Sequence, residues 1–151
     1  MNTPRDERTL QLLHRLVLPL DRALQIADRE TGYGSAQLGA LGVIIYLKAT
    51  TLSALAAKER ISVPTASRIV DALVRDGLVE RISDRQDRRA VRLSATDKGR
   101  EAVKAGCDRR ADVLRETLNG LSEEEWAALS VSAKALNRVF GYDRALTAPG
   151  A

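Results

Sequence analysis

A chain of 151 residues, 44% hydrophobic and 29% charged with a formal charge of +4, has the length and make-up of one soluble globular domain, and this excludes a disordered or membrane-embedded chain. One cysteine, Cys107, and one histidine, His14, exclude an internal disulfide. No HExxH, paired CxxC or GxSxG pattern offers a metal site or a nucleophile, so neither an enzyme nor a metal or other cofactor is expected.

The predicted elements run as follows. Leu10, Leu13, Val17, Leu20, Leu24 and Ala27 recur at spacings of three and four, which predicts one apolar stripe along a first helix, kinked but not ended by Pro19. TGYGS, from Thr31 to Ser35, reads as a turn, and Leu38 to Lys48 as a second, largely buried helix. Its apolar run, Leu38 to Leu47, is too short to cross a bilayer. No apolar h-region follows Asp6 and Glu7, so the expected location is cytoplasmic, with no membrane partner.

TLSALAAKERIS predicts a short helix with Leu52, Leu55 and Ala56 inward, and VPTASRIVDALVRDG a longer one ended by Gly77. Two such helices in immediate succession are a helix-turn-helix candidate. LVERIS and AVRLS, separated by an Arg/Asp segment, predict a β-hairpin with a charged tip. Thr96 is placed to cap a fifth helix, with Asp97 in its first turn, that runs to Asn119 and Gly120. Ser122 and Glu125 form a capping box for the last helix, where Leu121 can staple to Trp126. There Trp126, Leu129, Ala133, Leu136 and Phe140 repeat at three, four, three, four.

The expected fold is therefore mainly α: a single domain, 1–151, with a winged helix-turn-helix lobe at 35–95, a small β-hairpin wing, and long N- and C-terminal dimerisation helices in 1–34 and 96–151. A partner subunit is the simplest cover for the two terminal stripes, which makes a two-fold homodimer the expectation. The interface would include Leu10, Leu13, Val17, Leu20, Trp126, Leu129, Leu136 and Phe140. The alternative is that the two stripes pack on each other within one chain.

Charge is concentrated where function is expected. Between Arg81 and Arg100, seven cations face three acids, a surplus equal to the charge of the whole chain. In the helix from Val63, residues Ala66, Ile69, Val70 and Leu73 share one face, while Thr65, Arg68, Ala72 and Arg75 fall on the other. Ser62 is a candidate N-cap and Pro64 suits the first turn. Backbone N–H groups and the short side chains of Ser62, Thr65 and Ser67 at such a helix start can approach a phosphate or base edge, and Arg68 can reach guanine O6 and N7 in a major groove. Taken one residue at a time, a solvated helix face is an equal alternative. At the hairpin tip, Arg85, Arg88 and Arg89 suit a narrow minor groove, with Asp84 and Asp87 holding their guanidinium groups in place. Five aromatic residues are too few for an RNA-stacking platform.

The stretch LSALAAKERISVPTASRIVDALVRDGLVERISDRQDRRAVRLSATDKGR, residues 52–100, closely resembles the winged helix-turn-helix core of the MarR family of bacterial transcription regulators. DRQDRRAVRLSATDKG is its most specific part, similar to that family's wing motif of acidic and arginine residues, an alternating strand and Thr-x-x-Gly. The resemblance implies a homodimer that binds a pseudo-palindromic operator in double-stranded DNA, more often as a repressor than an activator. It places the helix from Val63 in the major groove, and Arg89, aided by Arg88 and Arg85, in the minor groove. It also implies release by a small effector, often phenolic or anionic, whose identity no residue here reveals.

Two positions depart from the pattern. Glu59 and Arg60 stand where the family has Leu-Gly, which predicts strain or a different turn at Arg60. Ala95 replaces a leucine, which predicts weaker packing at the wing base. His14, Tyr33 and Tyr46 read as packing or surface before pocket residues, and Cys107 as small buried packing. A winged-helix protein-interaction module and a Cys107-based redox sensor are the alternative functions.

Overall fold

The computed structural model describes residues 7–83 and 91–141. Its elements are α1 (Glu7–Glu30), α2 (Ser35–Tyr46), α3 (Leu52–Glu59), α4 (Val63–Arg75), β1 (Val79–Ser83), β2 (Val91–Ala95), α5 (Asp97–Thr117) and α6 (Glu123–Phe140). The chain is mainly helical, with one two-stranded antiparallel sheet. The hairpin tip, with Arg85, Arg88 and Arg89, lies outside the described residues.

Helix starts follow their caps. The side-chain oxygens of Thr51, Ser62, Thr96 and Ser122 accept the N–H groups of Ala54, Thr65, Gly99 and Glu125 at 3.1 to 3.2 Å, each satisfying a donor that the first helical turn leaves open. Glu125 completes its box by accepting the Ser122 N–H at 2.8 Å. Helix α2 begins at Ser35, earlier than its apolar run, because Gln37 accepts the Gly34 N–H at 3.2 Å. Helix α1 continues through Pro19.

The core lies between α2, α3, α4, the hairpin and the first half of α5, with Leu41, Leu55, Leu73, Leu78 and Val70 fully buried. Each such side chain contributes about 1.5 to 3 kcal/mol by leaving water. Strands β1 and β2 pair with Val79 opposite Ala95 and Ser83 opposite Val91, so Val79, Leu93 and Ala95 turn one face inward. Leu93 N–H also donates to the Thr50 carbonyl at 2.7 Å, fastening the segment before α3 along β2.

Both sequence departures are accommodated locally. Ala95 is buried. Arg60 adopts the left-handed conformation, φ 54 and ψ 41, so the expected strain is present and the turn keeps the shape a glycine would give it.

One reading is corrected, and one alternative is set aside. Cys107 is exposed, not buried. The inward stripe of α5 runs through Gly99, Ala102, Val103 and Gly106, and the residue after Gly106 is rotated about 100° away from it. The terminal stripes do not cover each other within the chain. Leu10, Leu13, Val17, Leu20, Trp126, Leu129, Leu136 and Phe140 are all exposed, and α6 has no buried residue. The end of α1 is held to the rest of the chain by the buried Ala27 and half-buried Leu24 and by two ion pairs, Arg110 with Asp28 and Arg109 with Glu30. Among the described residues no helix is long and apolar enough to cross a membrane.

Candidate nucleic-acid interface

Helix α4 divides as its periodicity requires. Ala66, Val70 and Leu73 are buried and Ile69 is half-buried, while Val63, Pro64, Thr65, Arg68 and Arg75 are exposed and Ser67 is half-buried. The N-terminal turn is rigidly built. Ser62 caps it, Pro64 stands where no intrahelical donor is needed, and the Ser62 and Thr65 hydroxyls are 2.8 Å apart. No acidic residue sits in that turn, so the partial positive charge of the helix start is left uncompensated.

The two arginines of the outward face are available. Among the described residues the Arg68 guanidinium makes no hydrogen bond or ion pair. Arg75 Nε lies 3.9 Å from Asp76 Oδ1, a loose contact, because Asp76 is engaged by Gln37 Nε2 at 2.9 Å. Thus Ser62, Pro64, Thr65, Arg68 and Arg75 share solvent access, and Ser67 flanks them.

The wing is fixed to this helix by groups that the sequence reading missed. Arg81 Nη2 donates to Asp71 Oδ1 at 2.6 Å, joining β1 to α4. The strand register was the available signal, since Arg81 shares a face with Val79. At the wing base, Thr96 Oγ1 donates to the Gly77 carbonyl at 2.7 Å, and Lys98 Nζ to the Asp76 carbonyl at 2.8 Å, where the C-terminal end of α4 is negative. Gly99 then passes so close to the residue before β1 that an added Cβ would stand 2.2 Å from the Leu78 carbonyl oxygen. This is the physical content of Thr-x-x-Gly: a cap and a close backbone crossing that position the hairpin beside α4.

The pocket candidates are dispersed. His14 is exposed on α1, whereas Tyr33 and Tyr46 pack against the core. Burial pushes the Tyr46 hydroxyl above its ordinary pKa, helped by the neighbouring Cys107. No group of three or more metal-ligating side chains occurs among the described residues.

The MarR family model matches residues 35–91. Over 120 residues, 80% of this chain and 84% of the relative, the chain is 32% identical to an HTH-type transcriptional regulator of Mycobacterium tuberculosis. It is similar to the structure of a MarR family protein from Bacillus stearothermophilus, with a TM-score of 0.72 and 25% identity over 91% of this chain and 99% of that one. It shares its fold with a MepR mutant from S. aureus bound to an oligodeoxyribonucleotide, with a TM-score of 0.64 and 20% identity over 87% of this chain and 96% of that one. On these grounds the chain belongs to the MarR family of transcription regulators.

Proposed function

We propose that this protein is a cytoplasmic homodimer that binds a pseudo-palindromic operator in double-stranded DNA and represses transcription until a small effector releases it. The observation that carries the reading is the outward face of α4: a rigid, capped, acid-free helix start with Thr65, Ser67 and Arg68 beside it. In this reading α4 enters the major groove, where Arg68 reads a guanine edge and Ser62, Pro64, Thr65, Ser67 and Arg75 set its approach. Arg85, Arg88 and Arg89 at the hairpin tip serve the flanking minor groove.

Dimerisation is supported by the exposed apolar side chains of α1 and α6, which water disfavours and a second copy would cover. Two α4 helices would then sit about 34 Å apart, one turn of duplex. The effector is supported by a cleft lined by Ile44, Ile45, Lys48, Thr50, Ser94 and Arg100. The cleft adjoins the wing strand through Leu93, Ser94 and Ala95. What the MepR structure holds, an oligodeoxyribonucleotide, is the ligand class expected here.

The test is selection from a pool of random duplexes, followed by gel-shift titration of the enriched sequence. Enrichment of a two-fold symmetric sequence is the expected result. Failure to enrich any sequence at moderate salt would leave the fold as a protein-interaction module. A thiol switch is a second reading, favoured by the exposure of Cys107. Operator binding that peroxide leaves unchanged dismisses it.

A further inference from the structure

We infer that Arg60 is a DNA-backbone contact, held in the helix-turn-helix turn against the conformational preference of its own backbone. The inference rests on the reading of α4 as the DNA-facing helix, and it adds a residue outside that helix.

Helices α3 and α4 close in the same way. After α4, Gly77 N–H donates to the Val74 carbonyl at 3.0 Å and Leu78 N–H reaches back to the Leu73 carbonyl at 2.8 Å, with Gly77 left-handed at φ 72. After α3, Arg60 N–H donates to Ala57 at 3.4 Å and Ile61 N–H to Ala56 at 3.0 Å. The left-handed residue this time is an arginine, φ 54. Glycine takes that conformation freely, whereas any other L residue brings its Cβ against the following carbonyl. Nothing in the backbone bonding of the turn therefore calls for arginine. Lys48, the other non-glycine residue with positive φ among the described residues, lines the cleft against β2 and α5 and not this turn.

Its surroundings leave the Arg60 side chain free to act. Arg60 is exposed, and among the described residues its guanidinium makes no hydrogen bond or ion pair. Neighbouring Glu59 does not neutralise it, because the Glu59 carboxylate turns back to α2, where an added Cβ at Gly39 would lie 3.9 Å from its Oε2. Arg60 stands two residues before the N-cap Ser62, so the two Cα atoms are within about 7 Å of each other. A cation there extends the positive start of α4 along the rim of the groove the helix would enter. The anion on that rim is the DNA phosphate, which a guanidinium can grip through two N–H groups. Such a contact adds affinity and fixes register without reading sequence.

Full-length Arg60→Gly, Arg60→Ala and Arg60→Lys are compared by thermal unfolding, and by anisotropy titration with a random-sequence duplex and the selected operator at several salt concentrations. Arg60→Gly is expected to raise the unfolding midpoint by a few degrees, and Arg60→Ala to leave it near wild type. Both weaken the two duplexes by the same factor, roughly five- to tenfold, and flatten the slope of log affinity against log salt by about 0.9 for each Arg60 that touches DNA. Arg60→Lys keeps the wild-type slope. Wild-type affinity and slope in the Gly and Ala variants overturn the inference while α4 retains its role. Absence of salt-dependent DNA binding by the wild type overturns both.

Discussion

Arg110 grips Asp28 through two bonds, Nε to Oδ1 at 2.6 Å and Nη2 to Oδ2 at 2.7 Å, although Asp28 is only 1% exposed. The pair joins the end of α1 to the middle of α5, and so couples the terminal helices to the lobe that presents α4. Removing the cation strands a buried carboxylate. Arg110→Ala is expected to cost about 3 to 5 kcal/mol in urea unfolding. Asp28→Asn should cost less, since an amide oxygen still accepts one guanidinium bond.

The same pair sets an acid dependence. Burial alone would raise the Asp28 pKa, but hydrogen bonds from Arg110 and Ser35, with the charge of Arg110, outweigh it and hold the carboxyl below its ordinary value. A pKa lower in the folded chain than in the unfolded one gives stability that is complete above the unfolded value, near 4, and is lost as pH falls through the folded value. Glu30, lowered by its hydrogen bond to Arg109, acts in the same direction and persists in Asp28→Asn. The gap in thermal midpoint between wild type and Asp28→Asn should therefore shrink from about pH 5 to about pH 3. A constant gap would remove Asp28 from the acid response.

Gly99 should tolerate no side chain. Its Cβ would meet the Leu78 carbonyl oxygen at 2.2 Å, and that carbonyl already accepts the Thr96 N–H at 3.0 Å. Backbone cannot yield as a flexible side chain does, so α5 must lift from the wing base. Gly99→Ala is expected to lower stability by about 2 kcal/mol or more. Gly120→Ala, with nothing within 4 Å of the added atom, serves as the matched control and should stay within about 0.5 kcal/mol of wild type.

How far the sequence reached follows from the range of each interaction. Ser62, Thr96 and Ser122 could be named as caps because a cap bonds to a residue three positions on, and the inward face of α4 could be named because helical periodicity is local. The alternating hairpin strands were legible for the same reason. Cys107 was misjudged because its exposure depends on which neighbour of Gly106 the α5 stripe includes, a matter of one residue's rotation. The Asp28–Arg110 clamp spans 82 residues, and nothing local distinguishes either member from an ordinary surface charge. Of the candidate interface, α4 could be read in outline, whereas the Arg81–Asp71 tie needed the strand register to bring its members together.

The exposed apolar surface of α1 is wider than the stripe read from sequence. Leu12, Leu16 and Leu18 are exposed along with Leu10, Leu13, Val17 and Leu20, so apolar side chains occupy most of the helix circumference over these turns. A partner that packed on one stripe would leave the others wet. In the proposed homodimer the partner would wrap α1, and Leu16→Asp is expected to yield monomers in sedimentation velocity as readily as Leu13→Asp or Leu136→Asp. A Leu16→Asp protein that remains dimeric would restrict the contact to the single stripe.

Arg81 and Asp71 test whether the wing and α4 act as one unit. Their oxygen and nitrogen are 2.6 Å apart, yet the side chains are 38% and 58% exposed, so water competes and salt screens. In unfolding, a double-mutant cycle of Arg81→Ala and Asp71→Ala should give a coupling of no more than about 0.5 kcal/mol. In the proposed DNA complex the pair would have a different task, holding β1 at one angle to α4 as both elements approach the duplex. The expected coupling there is nearer 1 kcal/mol, with Arg81→Ala weakening the selected operator more than a random duplex, because misalignment of the wing disturbs only a complex in which α4 is already in register. Equal couplings in unfolding and binding would reduce the pair to a surface contact and leave the wing to find its groove unaided.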